Sequence, residues 1–221
     1  MKRYTEVQIE KDPQINGRLY LADGRLGLIL THGERTDIDE PIFHNIAKDL
    51  QKKKVTTLLF RMPFKVKKKR IPDKPSVQEE VFLKVWQWVH SQSELADKKW
   101  AIGGHDIGAK AAIRSASMIA MQEEIPPVVA LSFPLYPPNR PEKLQMDELQ
   151  AIIGPVLFCQ GDKGNQGTYD RLANQLAMMA SFAELKLIKG ADHNFNVQGR
   201  EPHIVSKWIS NDIANFLASN L

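Results

Sequence analysis

Residues Leu26-Gly27-Leu28-Ile29-Leu30-Thr31 are apolar almost without interruption, so a strand there needs cover on both faces. An amphipathic segment follows: Asp39–Lys54 places Ile42, Phe43, Ile46, Ala47 and Leu50 at helical spacing and leaves its lysines to water. The pairing recurs, with a strand at Val55–Phe60 before a helix at Ser76–His90, and a strand at Trp100–Gly104 before a helix at Ile107–Met121. Buried strands each followed by a helix predict a three-layer α/β/α sandwich around a mostly parallel sheet. Thr5–Glu10 and Arg18–Ala22 alternate in strand fashion ahead of an Asp23-Gly24 turn and open the sheet. Val128–Phe133, Val156–Gln160 and Leu185–Ile188 complete about eight strands, with helices near Tyr169–Ala180 and over Ile204–Leu217. Pro126-Pro127 and Pro134–Pro141 are too short to link domains, so residues 1–221 read as a single domain with no cap.

Several functional classes are set aside by composition. No apolar stretch approaches the roughly 20 residues of a spanning helix, and the longest, Ala151–Cys159, is broken by Gly154 and Pro155. Met1–Glu6 is charged and leads into no apolar core, so no secretory leader is expected. The single cysteine, Cys159, excludes an internal disulfide or a multi-thiolate zinc site and makes the reducing cytoplasm the expected compartment. Cys159 itself lies in an apolar strand, where a small buried hydrophobe belongs. The net charge of +4 is concentrated in Lys52–Lys54 and Lys65–Arg70. No aromatic residues interleave with these lysines, so they read as a solvated loop beside a helix end rather than a nucleic-acid groove. That leaves Lys65–Arg70 as a candidate surface for a protein partner. There is no His-x-x-x-His spacing, phosphate loop or dinucleotide fingerprint, and hence no metal or cofactor is implied.

Chemistry in an open parallel sheet collects at the loops after the strands. Gly104-His105-Asp106-Ile107-Gly108 joins a strand to an apolar helix with the spacing of a nucleophile elbow. The middle side chain stands on a strained turn, and small neighbours are required because a Cβ on either side would meet the crossing backbone. Asp106 occupies that middle position. His32-Gly33-Glu34 follows Leu26–Thr31, where such folds place one of two oxyanion-binding N–H groups; Ile107 would supply the other. His193 follows the last strand, at the place of a general base. His32 reads as a packing residue of the oxyanion loop, and His105 stays open. For an orienting acid, Asp162 is near the end of its strand, Glu142 lies beyond the proline cluster, and Asp170 faces solvent on a helix. Trp86 and Trp88 face different sides of one helix, and the pairs Glu79, Glu80 and Glu123, Glu124 do not share a face.

Together these residues resemble the α/β-hydrolase superfamily. Leu59–Phe64 with the lysine run and Pro72, Leu131–Pro138 with Arg140–Leu144, and Phe158–Gly161 resemble a narrower, dienelactone-hydrolase-like group over nearly the whole chain. That group is the hydrolase-like domain of NSL-complex subunit three and testis-expressed protein thirty. The resemblance implies the α/β-hydrolase fold, a serine at the elbow preceded by arginine, and an aspartate three residues after the glycine matching Gly161. The chain instead has Asp106, His105 and Gly164, so of that triad only His193 is kept. Gly104-His105-Asp106 with His32-Gly33-Glu34 also resembles the haloalkane dehalogenase and epoxide hydrolase branch, whose nucleophile is an aspartate. That branch carries tryptophan after the nucleophile, where Ile107 stands, and a helical cap for which the chain has no room.

Two readings follow. One is a hydrolase of a small ester-like or alkyl substrate with Asp106 as nucleophile, His193 as base and Asp162 as orienting acid. The other is a hydrolase-like protein with a degenerate triad that binds a ligand or protein.

Overall fold

The protein is described by a computed structural model covering residues 4–179 and 182–221. Its eight strands are β1 (Thr5–Lys11), β2 (Gln14–Tyr20), β3 (Leu26–Thr31), β4 (Val55–Phe60), β5 (Lys99–His105), β6 (Val128–Leu131), β7 (Val156–Gly161) and β8 (Ala183–Ile188). They form one sheet in the order β1-β2-β4-β3-β5-β6-β7-β8. The β1–β2 and β2–β4 pairs are antiparallel, and every pair from β4 onward is parallel. The expected α/β/α sandwich with a mostly parallel sheet of eight strands is therefore present.

The helices cover the sheet on both faces because the parallel strands are apolar on both. β4 and β7 are buried at every position. On one face α1 (Pro41–Lys52) packs against α7 (Pro202–Asn220), with Phe43, Ile46, Leu50, Ile209 and Ile213 in one cluster. On the other, α3 (Pro75–Ser91), α4 (Ile107–Ala120) and α6 (Tyr169–Ala177) join a second cluster through Phe82, Trp86, Ile113 and Leu172. Two one-turn helices, α2 (Pro63–Val66) and α5 (Asp147–Gln150), are too short to show a period in sequence. Proline opens α1, α2, α3 and α7 at the first turn, where a missing N–H costs nothing.

Some boundaries differ from the sequence expectation. β2 begins at Gln14, four residues before Arg18, because it pairs with β1 as a hairpin. It stops at Tyr20, since the Ala22 N–H and carbonyl leave the ladder for the Thr56 hydroxyl. β6 ends at Leu131, two residues before Phe133, because Ser132 turns to φ 45°. β8 starts two residues before Leu185. α6 ends at Ala177; Ala180, where the sequence places its end, and Met1–Arg3 at the start of the chain lie outside the described residues. Trp86 is core, with its indole N–H on Glu123, and Trp88 is partly buried against the same cluster. Glu79 pairs with Arg114, as expected of a structural carboxylate. No helix among the described residues is long and apolar enough to cross a membrane.

Candidate active site

The carboxyl end of β5 delivers the chain into α4 through a single residue, Asp106, held at φ 56° and ψ −124°. A non-glycine residue adopts that conformation only where its surroundings impose it. They do so by close approach: a Cβ on Gly104 would lie 2.2 Å from the Gly108 carbonyl carbon, and one on Gly108 would lie 2.5 Å from the His32 carbonyl oxygen. The small residues flanking Asp106 are thus what lets β5, α4 and the β3 loop cross. As the first residue of α4, Ile107 has an N–H with no acceptor inside its helix.

The Asp106 carboxylate is fixed from two sides. Its Oδ2 accepts the Glu34 N–H at 3.0 Å, and its Oδ1 lies 3.3 Å from His193 Nε2. The second contact has ion-pair separation, but the imidazole is not aligned to donate a hydrogen bond along it. Burial pushes the Asp106 carboxyl up, yet the neighbouring imidazoles of His193 and His105 and the Glu34 N–H outweigh it, so its pKa lies below the ordinary value. Asp106 is ionised at neutral pH.

His105 is the residue through which the site is braced. Its Nε2 contacts the His193 carbonyl oxygen at 2.8 Å, and because a carbonyl only accepts, Nε2 carries the proton. Nδ1 is then an acceptor, 3.5 Å from the Thr36 hydroxyl, which in turn accepts the Gly33 N–H at 2.8 Å. One buried imidazole therefore ties the loop after β3 to the loop bearing His193. Phe43, His193 and Phe195 pack their rings around it, and burial pushes its pKa down to about 4. His32 is also buried and structural: Nδ1 donates to the Gly33 carbonyl, and Nε2 accepts the Met62 N–H.

Asp162, expected as the orienting acid, makes no hydrogen bond to His193. Asp162 Oδ1 accepts the Gly190 N–H at 2.7 Å, holding the turn after β8 instead of His193. Glu142 and Asp170 are exposed. Both ring nitrogens of His193 are buried without a hydrogen-bond partner among the described residues. Gly164, where the family resemblance expects the acid, is closed to a side chain, since a Cβ there would sit 2.6 Å from the Gly167 carbonyl oxygen. Gln160 sets that closure: its side chain accepts the Phe133 N–H and donates to the carbonyls of Phe133 and Gly167. Asp162 looks right by its place after β7, but only the path of the loop reveals that its carboxylate turns toward Gly190.

Asp106, His105, His193 and Glu34 line a cleft of about 120 Å³ with Arg35, Thr36, Pro138, Asn165, Gln166 and Asn194. Thr36, Arg35, Asn165, Gln166 and Asn194 had no motif to mark them in the sequence. All of these lining residues but Pro138 carry polar or charged side chains. Among the described residues no cluster of histidine, cysteine or carboxylate side chains could hold a metal.

An elbow residue at positive φ, a His-Gly turn after β3 and a histidine after β8, all on one sheet end, are the arrangement of the α/β-hydrolase class. The chain belongs to the alpha/beta hydrolase domain family, whose model matches residues 24–219. Solved structures share the architecture at low identity. Dienelactone hydrolase from Anabaena variabilis is 18% identical, with 99% of each chain covered and a TM-score of 0.74. A serine hydrolase without a lid from Xanthomonas campestris is 12% identical, covering 98% of this chain and 96% of that one, with a TM-score of 0.70. The esterase domain of a Rhodothermus marinus protein is 12% identical, covering 96% and 98%, with a TM-score of 0.66.

Proposed function

We propose that the protein is a cytoplasmic hydrolase that uses Asp106 as a covalent nucleophile toward a small, polar ester-like or alkyl substrate. The observation carrying this reading is the placement of the two carboxylate oxygens: Oδ2 rests on the Glu34 N–H while Oδ1 is turned to His193. A serine at the elbow, as the resemblance to the NSL-complex group would have it, is replaced by a group that is already anionic and needs no base to become nucleophilic. Oδ1 would attack the alkyl carbon bearing the leaving group (a halide, an epoxide oxygen or an ester's carboxylate), forming a C–O bond as that group departs with its electron pair. Water, giving a proton to His193, then adds to Cγ of the resulting ester. The charge that develops on Oδ2 falls on the Glu34 and Ile107 N–H groups, and as the Cγ–Oδ1 bond breaks the leaving alkoxide takes the proton back from His193 and departs as the alcohol. Arg35, Asn165, Gln166 and Asn194 supply polar contacts to substrate in the cleft. Structural neighbours named as an esterase domain and a dienelactone hydrolase support hydrolytic chemistry of this general kind.

A second reading rests on His193, whose Nδ1 meets no acid among the described residues to fix its working tautomer. On that reading the triad is degenerate and the cleft binds without turnover, with the Lys65–Arg70 segment beside it as a partner surface. Lys65 Nζ reaches the Glu34 carbonyl at 3.1 Å, so the basic segment adjoins the oxyanion loop.

Intact-protein mass spectrometry separates the two. The parent and His193→Ala are incubated with a panel of esters, epoxides and alkyl halides. Loss of the base is expected to trap an alkyl ester on Asp106, and single turnover of the parent in ¹⁸O-water is expected to label the Asp106 carboxylate. Asp106→Asn is expected to form neither. Turnover by Asp106→Asn at the parental rate would refute the nucleophile. A binding role is supported instead if neither protein yields an adduct and neutralising Lys67–Arg70 abolishes capture of a partner.

A further inference from the structure

β8 ends the sheet and has no second strand neighbour among the described residues. Its register sets Ala183 beside Val156 of β7, and the Val156 N–H donates to the Phe182 carbonyl at 3.2 Å. In a parallel ladder the N–H and C=O of one residue point to the same side, and successive residues alternate. Phe182, Glu184 and Lys186 therefore turn their backbone groups to β7, while Ala183, Leu185 and Leu187 turn theirs outward. The opposite edge, β1, is interrupted by a register shift between Gln8 and Glu10, which blunts it for pairing. β8 runs in unbroken register, contains no proline, and carries Leu187 at 44% exposure near its end, with Phe182 at 71% just before its start.

We propose that this edge is an interface with a second copy of the chain. Two β8 strands pair antiparallel about a two-fold axis through Leu185, joining two sheets into one. The side chains select both partner and register. Centred on Leu185, the pairing exchanges backbone hydrogen bonds between Leu185 and Leu185 of the partner subunit, and between Ala183 and Leu187 of the partner subunit. Glu184 then lies opposite Lys186 of the partner subunit, and the symmetry repeats that pair. Both are positions without backbone hydrogen bonds across the pair, where cross-strand side chains stand closest. Slipping the axis by one residue sets Glu184 against Glu184 of the partner subunit, or Lys186 against Lys186 of the partner subunit, so neighbouring registers are repelled. Within one chain the two charges are 3.7 Å apart and roughly half exposed, so they are available to a partner.

The test is sedimentation velocity and native mass spectrometry of the full chain over a wide concentration range. The parent is expected at twice the 25.1 kDa chain mass. Lys186→Glu and Glu184→Lys are each expected to shift to the chain mass with unchanged thermal melts. The two single variants mixed together are expected to associate, because each supplies the charges the other lacks, and the double exchange is expected to dimerise alone. A parent that stays at the chain mass at every concentration would overturn the proposal. So would single variants that remain dimeric, or a mixture of the two that does not associate.

Discussion

Acidification from pH 7.5 to about pH 5 acts on the protein through His105. In the native state this ring is 2% exposed and donates from Nε2 to the His193 carbonyl. Burial disfavours its cation and holds its pKa at about 4, against an ordinary 6.5. Between those values the unfolded chain binds the proton and the native chain does not, so stability rises with pH across the window and is lost as pH falls through it. From the two pKa values, the loss is about 2 kcal/mol at pH 5 and about 3 kcal/mol once pH falls below 4. Urea unfolding at both pH values, for the parent and His105→Gln, isolates the effect. Glutamine does not titrate, and its amide N–H can still donate to the His193 carbonyl. His32, whose pKa burial also lowers, is common to both proteins and cancels in the comparison. The depressed pKa of Asp106 acts elsewhere: its contribution is present above 3.8 and lost only as pH falls further. The parent is expected to lose about 2 kcal/mol more than the variant on going to pH 5. Equal losses in the two proteins would refute the assignment of His105 as a neutral, buried brace.

Two further substitutions probe the loop that closes the acid position. Gln160→Leu leaves the Phe133 N–H and the Phe133 and Gly167 carbonyls without the side chain that now satisfies them. The expected cost is about 1–3 kcal/mol for each group left buried and unpaired, read as a lower thermal midpoint; an unchanged midpoint would contradict the clamp. Gly164→Asp drives a Cβ to 2.6 Å from the Gly167 oxygen. It is expected to destabilise by about 1–3 kcal/mol, and a stabilised variant would show that the loop opens freely. In the double variant Asp106→Ser/Gly164→Asp the same crowding is expected to hold ester hydrolysis at background, whereas brisk turnover would mean the loop readily rebuilds a serine triad.

Much of the architecture was legible in the chain because it depends on local periodicity. Apolar runs such as Val55–Phe60 and Val156–Gln160 announce strands covered on both faces, and the i, i+3, i+4 spacing from Ile42 to Leu50 announces a helix with one buried side. Gly104-x-Asp106-x-Gly108 marked the elbow for the same reason: the steric demand of a strand-to-helix crossing falls on neighbouring residues. What escaped were features of less than two turns, such as Pro63–Val66, and edges such as Gln14, where pairing with another strand decides the boundary.

The sequence by itself determined which side chains the sheet end could offer: Asp106 without a serine, His193 without an aspartate at Gly164, and a histidine beside the elbow. It could not say where their polar atoms go, because hydrogen bonds between residues tens of positions apart are decided by how loops cross in space. Only the tertiary structure turns Asp162 to Gly190 instead of His193 and lays one Asp106 oxygen on the Glu34 N–H. It also gives His105 its single proton on the nitrogen facing the His193 carbonyl, because that carbonyl can only accept.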